Sequence, residues 1–233
     1  MTKFNIENSS FRDKSGFLFY QDNILYRLID TSYKEHYDHL INSELYNKLS
    51  EKNLLITHEE INDLKLDHDY YKIIKPEKIP FISYPYEWSF SQLKDAALLT
   101  LRIQKGAMKY GMTLKDGSAY NIQFFNGKPI LIDTLSFELY EDGQIWKPYK
   151  QFCQHFLAPL ALMSKKDIRL NLLSKTFIDG IPLDLTAKLL PKTTFGNFGL
   201  MAHIHAHAKS QKHYEDKEDT TIKEQTISKR SFE

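Results

Sequence analysis

The stretch LKDGSAYNIQFFNGKPILIDTLSFE, residues 114–138, sets two apolar runs on either side of Asn126-Gly127. That dipeptide supplies two residues tolerant of positive φ, the requirement of a two-residue type I′ turn, so AYNIQFF and PILIDTLSF are predicted to pair as antiparallel strands. A hairpin turning at residues 126 and 127 sets Asn121 nearly opposite Ile132, which brings Asn121 and Asp133 to its open end within a residue of register. Asp116 reaches the same end from the loop that precedes the first strand. Three oxygen-bearing side chains gathered there suit magnesium, which keeps several waters and relies on one or two carboxylates plus substrate phosphates. Turn chemistry is the other reading: Asp116-Gly117 is an ordinary turn pair, and Asn and Asp cap strand ends readily.

Upstream, Ser89 and Gln92 form a capping-box pair for FSQLKDAALLTLRIQKGAMKY, and Gly111 stands where a helix should stop, so a long helix is predicted to deliver the chain into this loop. Before it, YYKIIKPEKIPFISYPYEW is rich in strand formers but broken by Pro76, Pro80 and Pro85, which predicts two short strands and an extended connector. The aromatic residues of YPYEWSF either pack between two lobes or offer a platform to a planar ring. Further upstream, GFLFYQDNILYRLID predicts a hairpin turning at Gln21-Asp22-Asn23. Tyr37, Leu40, Ile41, Leu45 and Leu49 then recur at helical spacing behind Ser32, a candidate N-cap. Downstream, WKPYKQFCQHFLAPLALM, KDIRLNLLSKTF and IPLDLTAKLL read as helices. The whole is a two-lobed α+β chain, with a small strand-rich lobe at 10–87 and a larger helical lobe at 88–208. A charged tail or linker occupies 209–233, too poor in apolar residues to offset its ordering entropy.

Composition narrows the function classes. With 31 basic and 30 acidic residues the chain carries a formal charge of +1, which supplies no general attraction for nucleic acid or an anionic membrane. No run of about 18 apolar residues exists to span a bilayer. The lone Cys153 excludes an intrachain disulfide and a cysteine-based zinc cluster, and a reducing, cytoplasmic setting is expected. Cys153 and His155 read as buried core residues. His203, His205 and His207 read either as a histidine-based metal site, the outer two being four apart on a helix, or as cations at the negative pole of a helix end.

The helix, the loop with Asp116, Asn121 five positions on, the hairpin and then Asp133 together resemble the catalytic core of the protein-kinase-like superfamily, including its aminoglycoside-phosphotransferase branch. That resemblance implies a two-lobed kinase-like fold binding ATP and magnesium. It makes Asp116 the residue that accepts or orients an acceptor hydroxyl, and Asn121 and Asp133 the metal ligands. Ser15 and Gly16 of RDKSGF would stand at the phosphate-covering loop. Arg27 would stand where the phosphate-pairing lysine belongs, with a different, bidentate geometry. The chain departs from the kinase pattern in having Leu114-Lys115 before Asp116, Thr134-Leu135 after Asp133, and no repeated-glycine loop.

In wording, SFRDKSGFLFYQDNILYRLI, IPFISYPYEWSFSQLKDAALLTL, SAYNIQF, ILIDTLSFE, QFCQHFLAPLAL and IDGIPLDL resemble the N-terminal region of bacterial class I SAM-dependent methyltransferases of the nodulation-protein-like kind. That resemblance implies a leading domain whose methyltransferase domain or protein is a partner. No glycine-rich strand-to-helix turn that would cradle SAM occurs in these 233 residues. Two functions are thus expected of the same fold: a magnesium-nucleotide phosphotransferase, or a non-catalytic accessory domain serving a methyltransferase.

Overall fold

The computed structural model describes residues 5–7, 13–64, 66 and 68–209. Five strands come first: β1 (Asn5–Ile6), β2 (Gly16–Gln21), β3 (Ile24–Ile29), β4 (His58–Ile61) and β5 (Lys72–Pro76). They form one antiparallel sheet in the order β1-β2-β3-β5-β4. The β2–β3 turn is the expected one, with Asp22 and Asn23 both at positive φ (51° and 61°). Only β5 forms within the 70–84 stretch, where two strands are predicted. Its outer partner is β4, whose sequence HEEI lacks an apolar alternation because it lies at the sheet edge with its two glutamates exposed.

The amphipathic pattern after the first hairpin becomes two helices, α1 (Lys34–Asn42) and α2 (Leu45–Glu51), separated by Ser43 and a left-handed Glu44 at φ 65°. The break divides the apolar residues between two cores: Tyr37 packs with Ile29 and Leu135, while Leu45 and Leu49 join the main cluster. Asp30, rather than Ser32, opens the first turn, its carboxylate accepting the Ser32 N–H at 2.8 Å.

Helix α3 (Phe90–Met108) has the predicted capping box, and Gly111 follows it at φ 71°. Strand β6 (Met112–Leu114) leads into the loop of Asp116. The hairpin of β7 (Ile122–Phe125) and β8 (Lys128–Leu131) turns at Asn126 and Gly127, both at positive φ (51° and 74°), and β9 (Phe137–Leu139) returns to pair with β6. Leu55 joins Leu131 in an isolated parallel bridge: the Ile56 N–H donates to Leu131 O at 2.8 Å and the Leu131 N–H to Leu54 O at 2.9 Å. The largest apolar cluster therefore crosses the connector, holding Leu40, Leu49 and Leu55 against Leu93, Phe137 and Phe156. Each such fully buried side chain contributes about 1.5–3 kcal/mol relative to exposure.

The helical part starts with α4 (Tyr149–Phe152), which widens through a π-turn (Cys153–Leu157) into α5 (Ala158–Lys165). Pro159 accounts for the widening: its ring would strike the carbonyl of residue 155 in a regular helix, and it has no N–H to donate. Gly180, at φ 98°, then packs on the π-turn, and the Ile181 N–H donates to Gln154 O at 3.0 Å. Helices α6 (Leu173–Thr176), α7 (Leu183–Leu189) and α8 (Phe198–Leu200) bury a second cluster around Cys153, Leu162 and Ile204. Among the described residues no helix is long and apolar enough to cross a membrane. The charged tail lies outside the described residues except for Lys209, the end of the helical stretch 206–209.

Candidate functional site

The hairpin meets its predicted register, the Ile132 N–H donating to Asn121 O at 2.8 Å. Asp133 follows, where the chain leaves β8, and caps a 3-10 turn (Thr134–Ser136). Its Oδ1 accepts the Leu135 N–H at 3.0 Å and stands 2.8 Å from Nη1 of Arg27; its Oδ2 accepts the Ser136 hydroxyl at 2.7 Å. The Ser136 Oγ accepts in turn from Asn121 Nδ2 at 3.2 Å. Asn121 and Asp133 are thus brought together through Ser136, which ends the turn that Asp133 caps.

Arg27 reaches Asp133 from β3, so the ion pair joins the five-stranded sheet to the loop after the hairpin. Its other terminal nitrogen bonds the carboxylate of Asp13, which also accepts the Ser15 N–H at 2.9 Å. Arg27 is 9% exposed, and its Nε has no partner among the described residues. A buried guanidinium flanked by two carboxylates is well compensated, since burying it alone would be strongly unfavourable. Lys115 adds a second cation: its Nζ donates to Ser15 Oγ and lies 4.6 Å over the ring of Tyr33, while its N–H donates to Ser136 O at 2.8 Å. Tyr33 is buried, and burial, helped by the negative charge of Asp133, drives its phenol well above the ordinary range, so it stays neutral and donates to Phe137 O. Lys115, Asp13 and Ser136 carry no motif of their own. Lys115 reads in the sequence only as a departure from the kinase pattern.

Gly16 has a packing reason: a Cβ there would stand 1.9 Å from Leu28 O across the β2–β3 pair. Asp116 has partners different from those of the other two site residues. It accepts the Ser118 N–H at 2.8 Å and lies in the electrostatic field of His155, whose pKa burial pulls down to about 4 while Asp116 and Asp179 oppose the shift. His155 is therefore a neutral, buried imidazole beside Asp116. No hydrogen bond or ion pair joins Asp116 to Asn121 or Asp133 among the described residues, and no group of three or more His, Cys, Asp or Glu there could hold a metal ion. The donor set of Asp133 and Asn121, with Arg27 and Lys115 nearby, fits a magnesium that arrives with its own phosphates and waters. It does not fit one held by protein ligands alone.

Beside this set, β7 presents Ile122 and Phe124 to the main core, and Gln123 to the connector. The Gln123 amide donates to Ser83 O at 3.0 Å and accepts the Ser83 N–H at 2.9 Å. The connector aromatics divide between the core and the surface. Trp88 is buried edge-on against Phe124, whereas Tyr84 and Tyr86 stack at 5.5 Å, with Tyr84 44% exposed and Tyr120 6.5 Å from it. The three C-terminal histidines separate: His205 bonds Thr194 Oγ at 2.9 Å under the Phe195 ring, and His203 and His207 both pack on Tyr149.

No protein-family model matches the chain. The nodulation protein NoeA of Rhizobium meliloti (strain 1021) is 40% identical over 140 residues, a match that covers 60% of this chain and 29% of that protein. Similar solved structures include that of vaccinia related kinase 3, at TM-score 0.37 and 10% identity over 59% of this chain and 48% of that one. They also include the Cydia pomonella granulovirus kinase PK-1, at TM-score 0.42 and 8% identity over 69% and 70%.

Proposed function

We propose that the chain is a kinase-like module that binds a magnesium-nucleotide through its phosphates. The reading is carried by the 2.8 Å pairing of Arg27 with Asp133, opposite charges offered by the strand sheet and by the hairpin exit. In it Asp133 and Asn121 hold magnesium, which supplies neutralisation of phosphate charge. Arg27 and Lys115 bind phosphate oxygens, with Ser15 and Gly16 covering them. Asp116 orients an acceptor hydroxyl and takes its proton, and the neutral His155 leaves that carboxylate uncompensated by a neighbouring cation. The work of the protein is positioning and electrostatics, as phosphoryl transfer requires.

A specific observation favours a second reading. Arg27 is already held by Asp13 as well as Asp133, so a phosphate would compete with two carboxylates for its charge. On this reading the module is a non-catalytic domain of a larger assembly, supported by a match that spans under a third of the nodulation protein. Its partner would be the methyltransferase implied by the sequence resemblance.

Thermal unfolding with ATP and magnesium, against ATP alone, separates the two. A ligand of the native state raises its stability by mass action, without need of an acceptor. The first reading expects a magnesium-dependent rise in Tm that Asp133→Ala abolishes. No rise up to millimolar ATP would sink it and leave the accessory role.

A further inference from the structure

Between α2 and α3 lies a groove of about 370 Å³ whose rim carries Lys48, Lys52, Arg102, Lys105 and Lys109. All five are exposed, and none forms an ion pair among the described residues, although other surface lysines, such as Lys72, Lys75, Lys147 and Lys188, do. Arg102, Lys105 and the cap residue Lys109 follow one another at i, i+3 and i+7 along and just past α3, and Lys48 and the cap residue Lys52 at i and i+4 at the end of α2, so like charges line both sides of the groove. Such pairs repel one another, while the C-terminal helix ends at which Lys48, Lys52, Lys105 and Lys109 stand favour each cation singly.

Gly106 lines the same groove within α3. A Cβ there would meet nothing within 4 Å, so no packing demand explains a residue that is poor in a helix interior. Leu98 and Leu101, 53% and 41% exposed, extend the surface one turn back along α3, at i−4 from Arg102 and Lys105 respectively. The mutual repulsion of five unpaired cations, a helical glycine opening space and an adjoining apolar step would each be relieved by an anionic, partly apolar cover.

We propose that this groove docks an acidic amphipathic helix of a partner protein, its carboxylates on the five cations and its apolar side on Leu98 and Leu101. The whole chain carries only +1, so with the five groove cations set aside the remaining residues sum to a formal −4. That balance gives a bilayer or nucleic acid no general attraction beyond the groove, whereas a single helix needs the groove alone. The site uses none of the phosphate-binding residues and stands whether or not nucleotide binds.

The test uses the full 233-residue chain and a fluorescein-labelled helical peptide of about 20 residues with glutamates on one face and leucines on the other, followed by anisotropy. The expected result is micromolar binding that weakens with salt. A loss of about tenfold or more is expected for Arg102→Glu/Lys105→Glu and, independently, for Lys48→Glu/Lys52→Glu, each with an unchanged circular dichroism spectrum. Absence of binding, equal binding of the peptide with its glutamates changed to lysine, indifference to both charge reversals, or preference for phosphatidylserine vesicles over the peptide would each overturn the proposal.

Discussion

Gln123 holds Ser83 by both of its main-chain polar groups, so that a side-chain amide stands in for one rung of a sheet ladder between the hairpin and the connector. Gln123 is 3% exposed. Gln123→Leu leaves both groups of Ser83 unsatisfied and should cost about 1–3 kcal/mol. Urea unfolding reads the loss, and faster hydrogen exchange at the Ser83 amide localises it.

The Arg27–Asp133 pair predicts a non-additive cycle. Arg27→Ala and Asp133→Ala each leave a partly buried opposite charge, but together they remove both. The two changes should couple by more than about 1 kcal/mol in unfolding free energy. Additive losses would mean that Asp13 alone satisfies Arg27.

Two glycines should respond to alanine with opposite signs. At Gly180 a Cβ would lie 2.5 Å from Gln154 Cβ on a backbone at φ 98°, so Gly180→Ala should destabilise by about 1 kcal/mol or more. At Gly106 the backbone is helical and the space open, so Gly106→Ala should stabilise by up to about 1 kcal/mol. Paired thermal melts decide both.

His155 makes stability depend on pH. Its folded pKa, near 4, lies below the ordinary value of 6.5 because burial disfavours the imidazolium. Between those values the unfolded chain binds the additional proton, so its contribution is complete above about pH 6.5 and is lost as pH falls toward 4. The full loss is on the order of 3 kcal/mol. His155→Gln should flatten this part of the stability–pH curve, and the difference between the two curves isolates it from the carboxylates that titrate nearby.

Much of the scaffold is written locally. Asn126-Gly127 and the Ser89/Gln92 box act over four residues or fewer, and both elements form where the spacing predicts. The left-handed Glu44 has no glycine to announce it, and β4 owes its existence to β5, a neighbour in space. The site divides the same way. Asn121 and Asp133 share one hairpin, so register alone brings them close. Ser136, three residues past Asp133, joins them through a local capping contact, whereas Asp13 and Lys115 join through contacts with Arg27 and Ser15 that no spacing encodes.

The bridge between Leu55 and Leu131 and the leucine core around it tie the two sides of the connector together without the covalent tether. If the backbone is severed within residues 77–82, each piece retains its secondary-structure pattern but exposes half of a shared interior. Neither piece should fold alone, and the two should reassemble on mixing, as a split protein whose halves recognise each other through strand pairing and buried leucines.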